Sequence, residues 1–185
     1  MDAEHDAERV RRALQGDPRA FGELVEAYQR VLFNAALRIL GDREEARDAT
    51  QTAFLKAWRK LDTYDPRYRV FSWLYRILMN EALNVLDRRR RQEPLEDSMA
   101  QSLRDPAPGP EEAYRRRETE GIVTDALMGL SPGDRQVIVL RHMLHLSLEE
   151  IGEALGVPDK TVKSRLFTAR QRLGEILRRR GVRSA

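Results

Sequence analysis

The chain of 185 residues contains no cysteine. Disulfide bonds, thiol nucleophiles and cysteine-ligated zinc sites are therefore excluded, and the composition fits a reducing cytoplasm. Long apolar runs are also missing, since no stretch approaches the roughly 20 residues that cross a membrane as a helix. The polar, acidic start MDAEHDAERV is unlike a secretory signal. We therefore expect a cytoplasmic protein without membrane insertion.

Patterns typical of strands and of enzymes are missing as well. No useful length of chain alternates polar and apolar residues with period two, so strands are not expected. No nucleophile–base set and no phosphate-binding loop is present, so we predict no catalytic residue, no cofactor and no enzyme. His142 and His145 have a spacing that could hold a metal, but no acidic residue or cysteine joins them in the local pattern, and a metal site is not predicted.

Charge, in contrast, is abundant and unevenly distributed. Charged residues make up 34% of the chain, and the net charge is +3. Residues 158–185 alone carry nine lysines and arginines against two acids, and a second basic run occupies residues 88–91. Clustered positive charge indicates a polyanionic partner, most often nucleic acid. The alternative is a solvated helix end, because cations favour helix C-termini.

The front half of the chain reads as three helices. Asp17, followed by proline, predicts the start of one helix, and Gly41 predicts its end. Asp42 then begins a second helix with Glu45 at capping-box spacing, and this helix is expected to run to about residue 61. After a loop that contains an Asp-Pro pair, the third helix is predicted over about residues 70–91.

The back half follows a stretch of different composition. Residues 92–112 are rich in proline and acids, which predicts a flexible linker. Beyond it, one helix should end near residue 128, the next two should begin after Ser131 and Ser147, and the last should run to about residue 180. The sequence thus predicts an all-α protein with two small helical domains, residues 1–91 and 113–185.

The last two helices have the rhythm of a helix–turn–helix. One face of the last helix is apolar at helical spacing and predicts a small core: Val162, Leu166, Ala169, Leu173 and Ile176. The other side carries the residue types that read a DNA major groove: Lys160, Lys163, Ser164, Arg165, Phe167, Thr168 and Gln171. An ordinary hairpin with a solvated face is the alternative, but it leaves the large apolar Phe167 unexplained.

A second candidate face lies on the helix predicted over residues 70–91. Its apolar side is assigned to the core: Phe71, Leu74, Leu78, Ala82 and Val85. The other side and the preceding loop carry aromatic, cationic and amide groups: Tyr64, Tyr68, Trp73, Arg76, Asn80, Asn84 and Arg91. This mixture favours single-stranded DNA, whose bases stack on rings and hydrogen-bond to amides. The alternative is that Trp73 packs on a neighbouring helix and the amides have no binding role.

Two stretches carry a family resemblance. DATQTAFLKAWRKLDTYDPRYRVFSWLYRILMNEALNVLDRRRR resembles the second conserved domain of extracytoplasmic-function (group IV) bacterial sigma factors, and GLSPGDRQVIVLRHMLHLSLEEIGEALGVPDKTVKSRLFTARQRL resembles their fourth. The resemblance implies a protein that recruits core RNA polymerase to promoters. Its implied partners are the clamp of the large beta-prime subunit, the beta flap, duplex promoter DNA, the single-stranded non-template strand and an anti-sigma factor.

The resemblance also implies residue roles. Polymerase contact falls on one helix: Asp48, Gln51, Thr52 and Leu55. Base capture in the minus-ten element falls on residues 64–70 and Asn80, and minus-thirty-five contacts fall on Lys163, Ser164, Arg165, Phe167 and Thr168. Thr52 stands where the family usually has a glutamate, and Thr168 stands where a basic residue is frequent. The resemblance therefore implies one charge pair fewer with polymerase and one weaker DNA contact. The competing hypothesis is a stand-alone helix–turn–helix regulator that binds duplex DNA without core polymerase.

Overall fold

The computed structural model describes residues 3–92 and 121–181. Throughout these two ranges the ordered elements are helical and no strand occurs, which confirms the all-α prediction. The helices are α1 (Ala3–Leu14), α2 (Pro18–Leu40), α3 (Arg43–Arg59), α4 (Val70–Gln92), α5 (residues 121–128), α6 (Pro132–Ile138), α7 (Leu148–Leu155) and α8 (Asp159–Arg179). The predicted linker, apart from Gln92, and the predicted start of the following helix lie outside the described residues.

Local capping explains where the front helices begin and end. The Asp17 side chain accepts a hydrogen bond from the backbone of Arg19 at 3.0 Å, and α2 ends at Gly41, whose φ of 72° is left-handed. The Asp42 side chain accepts from the backbone N–H of Glu45 at 2.8 Å. The predicted starts and the end of α2 are confirmed, whereas α3 ends slightly earlier, at Arg59, before a 3₁₀ turn over Leu61–Thr63.

Helix α1, which the sequence reading did not assign, is attached to α2 by a buried polar cluster. The Tyr28 hydroxyl donates to the carboxylate of Asp6, which is only 4% exposed. Arg9 bridges Asp6 at 2.9 Å and Glu23 at 3.2 Å. Burial, and then this contact with Asp6, raise the pKa of Tyr28 far above its usual value. The phenol therefore stays protonated and donates to the carboxylate.

The front core forms where α2, α3 and α4 pack together. Its α4 side follows the predicted stripe, because Phe71, Leu74, Leu78 and Ala82 are buried and Val85 packs against them. Tyr75 is also fully buried, and its hydroxyl has no hydrogen-bond partner among the described residues. No helix in the described part of the chain is long and apolar enough to cross a membrane.

The back unit is built around the predicted helical hairpin. Ser147 and Glu150 form a complete capping box at the start of α7, and Gly156 ends that helix with a φ of 67°. The apolar stripe of α8 faces inward as predicted: Val162, Leu166 and Ala169 are buried, and Leu173 and Ile176 pack against the core. Helix α6 continues into a π-helical turn over Val139–Met143, which the sequence did not predict.

The front and back units pack directly against each other. The buried guanidinium of Arg135 donates to the Ile39 carbonyl at the end of α2 and, at 2.8 Å and 3.0 Å, to the carbonyls of Met128 and Leu130. It has no carboxylate partner among the described residues, and burial lowers its pKa to about 10. Carbonyl oxygens at a helix C-terminus carry partial negative charge, so this end of α2 offsets part of the cost of burying the cation.

Candidate nucleic-acid and polymerase interfaces

The four residues predicted to contact polymerase lie along one face of α3. Asp48, Gln51 and Leu55 are exposed, with Leu55 exposed to 59%, whereas Thr52 is half-buried. Trp58 extends this face by one turn and rests against Phe21, with ring centroids 5.0 Å apart. The sequence reading missed Trp58, although its spacing of three residues from Leu55 signals a shared face.

The loop over residues 61–69 is ordered by Tyr64. The Tyr64 ring meets Trp73 edge-on, with centroids 5.5 Å apart, and its hydroxyl donates to the carbonyl of Tyr68 at 2.7 Å. Burial is the largest of the effects that raise the pKa of Tyr64. Trp73 itself is half-buried and packs against the core. Only part of its ring is therefore available to a ligand.

Tyr68 and the exposed side of α4 form the open part of this surface. The Tyr68 side chain is 43% exposed, and the Arg76 guanidinium lies 5.5 Å from its ring centroid. Asn80 and Asn84 are exposed further along the same helix. The structure thus brings Tyr64, Tyr68, Trp73 and Arg76 together, with the two amides following along α4. The exposed ring, cation and amides offer stacking and hydrogen bonding to unpaired bases.

Helix α7 lies against the beginning of this surface. The Arg69 backbone N–H donates to the Glu153 carboxylate at 2.5 Å, and the Arg69 guanidinium pairs with Glu150. Arg76 donates to the backbone carbonyl of Glu153 at 2.6 Å. These partners are 77 to 84 positions apart in the chain, so no local sequence signal could have found them.

The predicted DNA-reading face of α8 is exposed. Phe167 is 64% exposed, whereas the neighbouring Leu166 is only 4% exposed. Six of the seven predicted residues are exposed: Lys160, Lys163, Ser164, Arg165, Phe167 and Gln171. The seventh, Thr168, is half-buried, and its hydroxyl donates to the Ser164 carbonyl at 3.2 Å. Thr168 therefore offers an oxygen acceptor to a ligand rather than a free donor.

The histidine pair is divided between different environments. His142 accepts a hydrogen bond from Arg170 at 3.2 Å, and burial, followed by repulsion from Arg170, lowers its pKa. His145 lies beyond the π-helical turn with a φ of 55°. Across residues 3–92 and 121–181, no three histidine, cysteine, aspartate or glutamate residues are grouped so that they could hold a metal.

The helices that carry these surfaces lie within two regions that known protein families share. The family model for sigma-70 region 2 matches residues 24–92, and the model for sigma-70 region 4 matches residues 120–173. The RNA polymerase sigma-H factor of Pseudomonas aeruginosa is 35% identical over 96% of both chains. The chain belongs to the extracytoplasmic-function sigma factors. It is an RNA polymerase sigma factor, in a family of transcription initiation factors.

Further relatives agree over nearly the whole length. The extracytoplasmic-function sigma factor SigW of Bacillus subtilis is 31% identical over 92% of this sigma factor and 95% of SigW. The solved structure of CnrH in complex with the cytosolic domain of CnrY has a TM-score of 0.70 and 28% identity, covering 95% of this chain and 97% of CnrH. RpoE in complex with the anti-sigma factor NepR, from Bartonella quintana, has a TM-score of 0.68 and 26% identity, covering 85% and 96%.

Proposed function

We propose that this sigma factor directs core RNA polymerase to promoters that carry a minus-thirty-five and a minus-ten element. The observation that supports the proposal is that one chain presents two exposed faces of different chemistry. The α8 face combines cations with an exposed phenylalanine, and the α4 face combines aromatic rings, a cation and amides. The first suits the edges of duplex bases, and the second suits unpaired bases.

The α8 face would bind the minus-thirty-five element as duplex DNA. Lys163 and Arg165 reach phosphates or guanine edges, and Phe167 meets a thymine methyl group. Lys160, Ser164 and Gln171 add polar contacts, and Thr168 contributes an acceptor. Because Leu166 and its stripe fix α8 in the back unit, these side chains are presented on a rigid helix.

The α4 face would melt the minus-ten element and hold its non-template strand. Unstacking costs a few kcal/mol per base step. Stacking of a captured base on a ring, such as that of Tyr68, returns roughly 1–3 kcal/mol per base. Asn80 and Asn84 would hydrogen-bond to exposed base edges, with Tyr64 and Trp73 supporting the surface. The sigma factor contributes binding energy, and polymerase performs the phosphodiester chemistry.

The α3 face would bind the polymerase clamp. Asp48 and Gln51 supply polar contacts, and Leu55, exposed to 59%, supplies an apolar contact on the same face. Thr52 provides no charge where the family usually has a glutamate. Clamp binding by this chain would therefore depend more on Asp48 and Gln51. The back unit would meet the beta flap.

An anti-sigma factor is the remaining partner in the proposal. CnrH and the Bartonella RpoE, which this chain resembles in fold, are each solved in a complex, with CnrY and with the anti-sigma factor NepR. We propose that a protein of the same kind holds this sigma factor inactive in the cytoplasm until a signal releases it.

The deciding experiment is run-off transcription from fragmented genomic DNA. Bacterial core polymerase is incubated with and without the protein, and RNA start sites are mapped. We expect new, discrete starts that share a pair of upstream elements. Duplex binding without any new start would instead identify a stand-alone helix–turn–helix regulator. A matched reaction with Leu55→Asp should lose the new starts while retaining duplex binding, because the change places a charge where the face offers its exposed apolar side chain.

A further inference from the structure

The beginning of α4 is an anion site that already holds anions. The Arg69 backbone N–H at this helix start donates to the Glu153 carboxylate, and the Arg69 guanidinium binds the Glu150 carboxylate. Arg76, one to two turns further on, closes over the Glu153 backbone. An N-terminal N–H, the helix dipole and two guanidinium groups are the elements with which proteins bind phosphate as well as carboxylate.

Both carboxylates come from α7, the first helix of the DNA-binding hairpin. Glu150 is at the same time the capping-box residue, since its carboxylate accepts the Ser147 backbone N–H at 2.7 Å. This hydrogen bond is the main cause that lowers the pKa of Glu150, so its carboxylate stays ionised. Glu149, on the same helical turn, is exposed and makes no ion pair with any residue in the described ranges.

We propose that Glu150 and Glu153 occupy the place that a phosphodiester of the minus-ten strand takes in the initiation complex, so that α7 and DNA compete for α4. The inference rests on the proposed function, because it takes the α4 face to be the minus-ten surface. It adds that the free chain inhibits itself, with acidic side chains in place of phosphates.

The dimensions of a promoter support the competition. Two elements about 25 base pairs apart are separated by roughly 85 Å of duplex at 3.4 Å per pair. Here α7 touches α4, so the two DNA faces cannot reach both elements in this arrangement. Residues 93–120 could bridge at most roughly 100 Å if fully extended, which is enough to let the units separate. Release of Glu150 and Glu153 from α4 thus has two effects at once. It frees the anion site for a phosphate, and it lets the front and back units move apart.

The α7–α4 contact is the salt-sensitive part of the interface. Arg69 keeps 57% and Glu150 keeps 22% of its side chain exposed, so solvent and salt screen this ion pair. The Arg135 contact with the Ile39 carbonyl joins a cation to a neutral group in a buried place, so salt affects it less. Removal of the two carboxylate charges should therefore weaken the α7–α4 contact and leave the Arg135 contact in place.

The test compares Glu150→Gln/Glu153→Gln with the control Glu149→Gln in the full chain. Glutamine preserves the capping box at position 150 and removes only charge. The probe is a fluorescent single-stranded oligonucleotide carrying the non-template minus-ten sequence read from the mapped start sites. We expect the double variant to bind it roughly threefold to tenfold tighter than wild type, with the control unchanged. Rising salt should reduce the difference between the double variant and wild type.

A second readout follows the distance between the two units. Because the chain has no cysteine, Arg30→Cys on α2 and Glu175→Cys on α8 give a specific pair of sites for energy transfer, at two exposed positions. We expect the transfer to fall below the wild-type level in the double variant and to stay at the wild-type level in the Glu149→Gln control. If wild type and double variant bind the oligonucleotide with equal affinity, the competition between α7 and DNA is overturned, but the proposed function is not. Absence of binding by every variant, together with no polymerase-dependent start, would overturn the proposed function itself.

Discussion

The Tyr64 hydroxyl donates a hydrogen bond to the backbone carbonyl of Tyr68, 2.7 Å away. The Tyr64 ring is at the same time held edge-on by Trp73. Tyr68, in contrast, keeps 43% of its surface exposed, and its hydroxyl makes no hydrogen bond with the part of the chain that the structure describes. The two tyrosines therefore differ in what they do in this structure, because Tyr64 fixes the 61–69 loop and Tyr68 presents an exposed ring beside Arg76.

This difference predicts that loss of the hydroxyl affects promoter opening at Tyr64 and not at Tyr68. Tyr64→Phe keeps the ring but loses the hydrogen bond, whose net worth is about 1 kcal/mol. We expect promoter opening to slow roughly fivefold, as measured with a fluorescent base in the minus-ten element. Tyr68→Phe keeps the stacking ring and should open promoters at the wild-type rate. Equal rates for Tyr64→Phe and wild type would show that the loop does not depend on this hydrogen bond.

Asn80 gives a test of base capture. It is exposed on α4, and we expect Asn80→Ala to slow promoter opening roughly tenfold, because a base edge would lose its hydrogen-bonding partner. Duplex binding by the back unit should be retained, as measured by a shift assay on the minus-thirty-five element. Gln29→Ala, which removes an exposed amide from α2, is the matched control. Unchanged opening in Asn80→Ala would remove the residue from the minus-ten site.

Local signals account for the parts of the fold that the sequence predicted. Asp17, Asp42 and Ser147 each cap a helix through backbone groups two or three residues away, and Gly41 ends α2 in a left-handed conformation. Such contacts lie within a few residues and are therefore visible in the sequence. The stripes of α4 and α8 follow helical spacing for the same reason.

Contacts between distant residues account for what the sequence could not show. Helix α1 is fixed by the buried pair of Asp6 and Tyr28, 22 positions apart. The buried Arg135 depends on a carbonyl 96 positions away, and nothing near it in the chain distinguishes it from a solvated arginine. The assignment of Tyr64 to DNA contact stays a prediction, since spacing alone cannot separate a ring that supports a loop from a ring that binds a base.

Adjacent residues on α8 should respond in opposite ways to truncation. Leu166→Ala removes a side chain that is only 4% exposed and should lower the free energy of unfolding by about 2–5 kcal/mol. Phe167→Ala removes one that is 64% exposed and should leave stability within about 0.5 kcal/mol. Urea unfolding measures both. Phe167→Ala should instead weaken binding to minus-thirty-five duplex DNA, and normal binding by this variant would exclude Phe167 from the DNA interface.

The capping box of α7 predicts a further stability effect. Ser147→Ala removes the acceptor of the Glu150 backbone N–H and should cost about 1 kcal/mol, which lowers Tm by about 2–4 °C. Ser164→Ala is the control, because its hydroxyl bonds only to the Thr161 carbonyl inside α8. Thermal unfolding followed by circular dichroism should show a loss for the first variant and no loss for the second. The reverse order would contradict the role assigned to the cap.

Lys163 tests whether α8 touches the DNA backbone. The side chain is exposed, and neutralising one phosphate contributes about 0.9 to the slope of log affinity against log salt concentration. Lys163→Ala should therefore weaken minus-thirty-five binding and flatten that slope by about one unit across different sequences. Lys60→Ala removes an equal charge from the front unit and should leave the slope unchanged, because that residue is on neither DNA face. An unaltered slope in Lys163→Ala would show that Lys163 contacts no phosphate, and the phosphate-binding role on α8 would pass to Arg165 and Lys160.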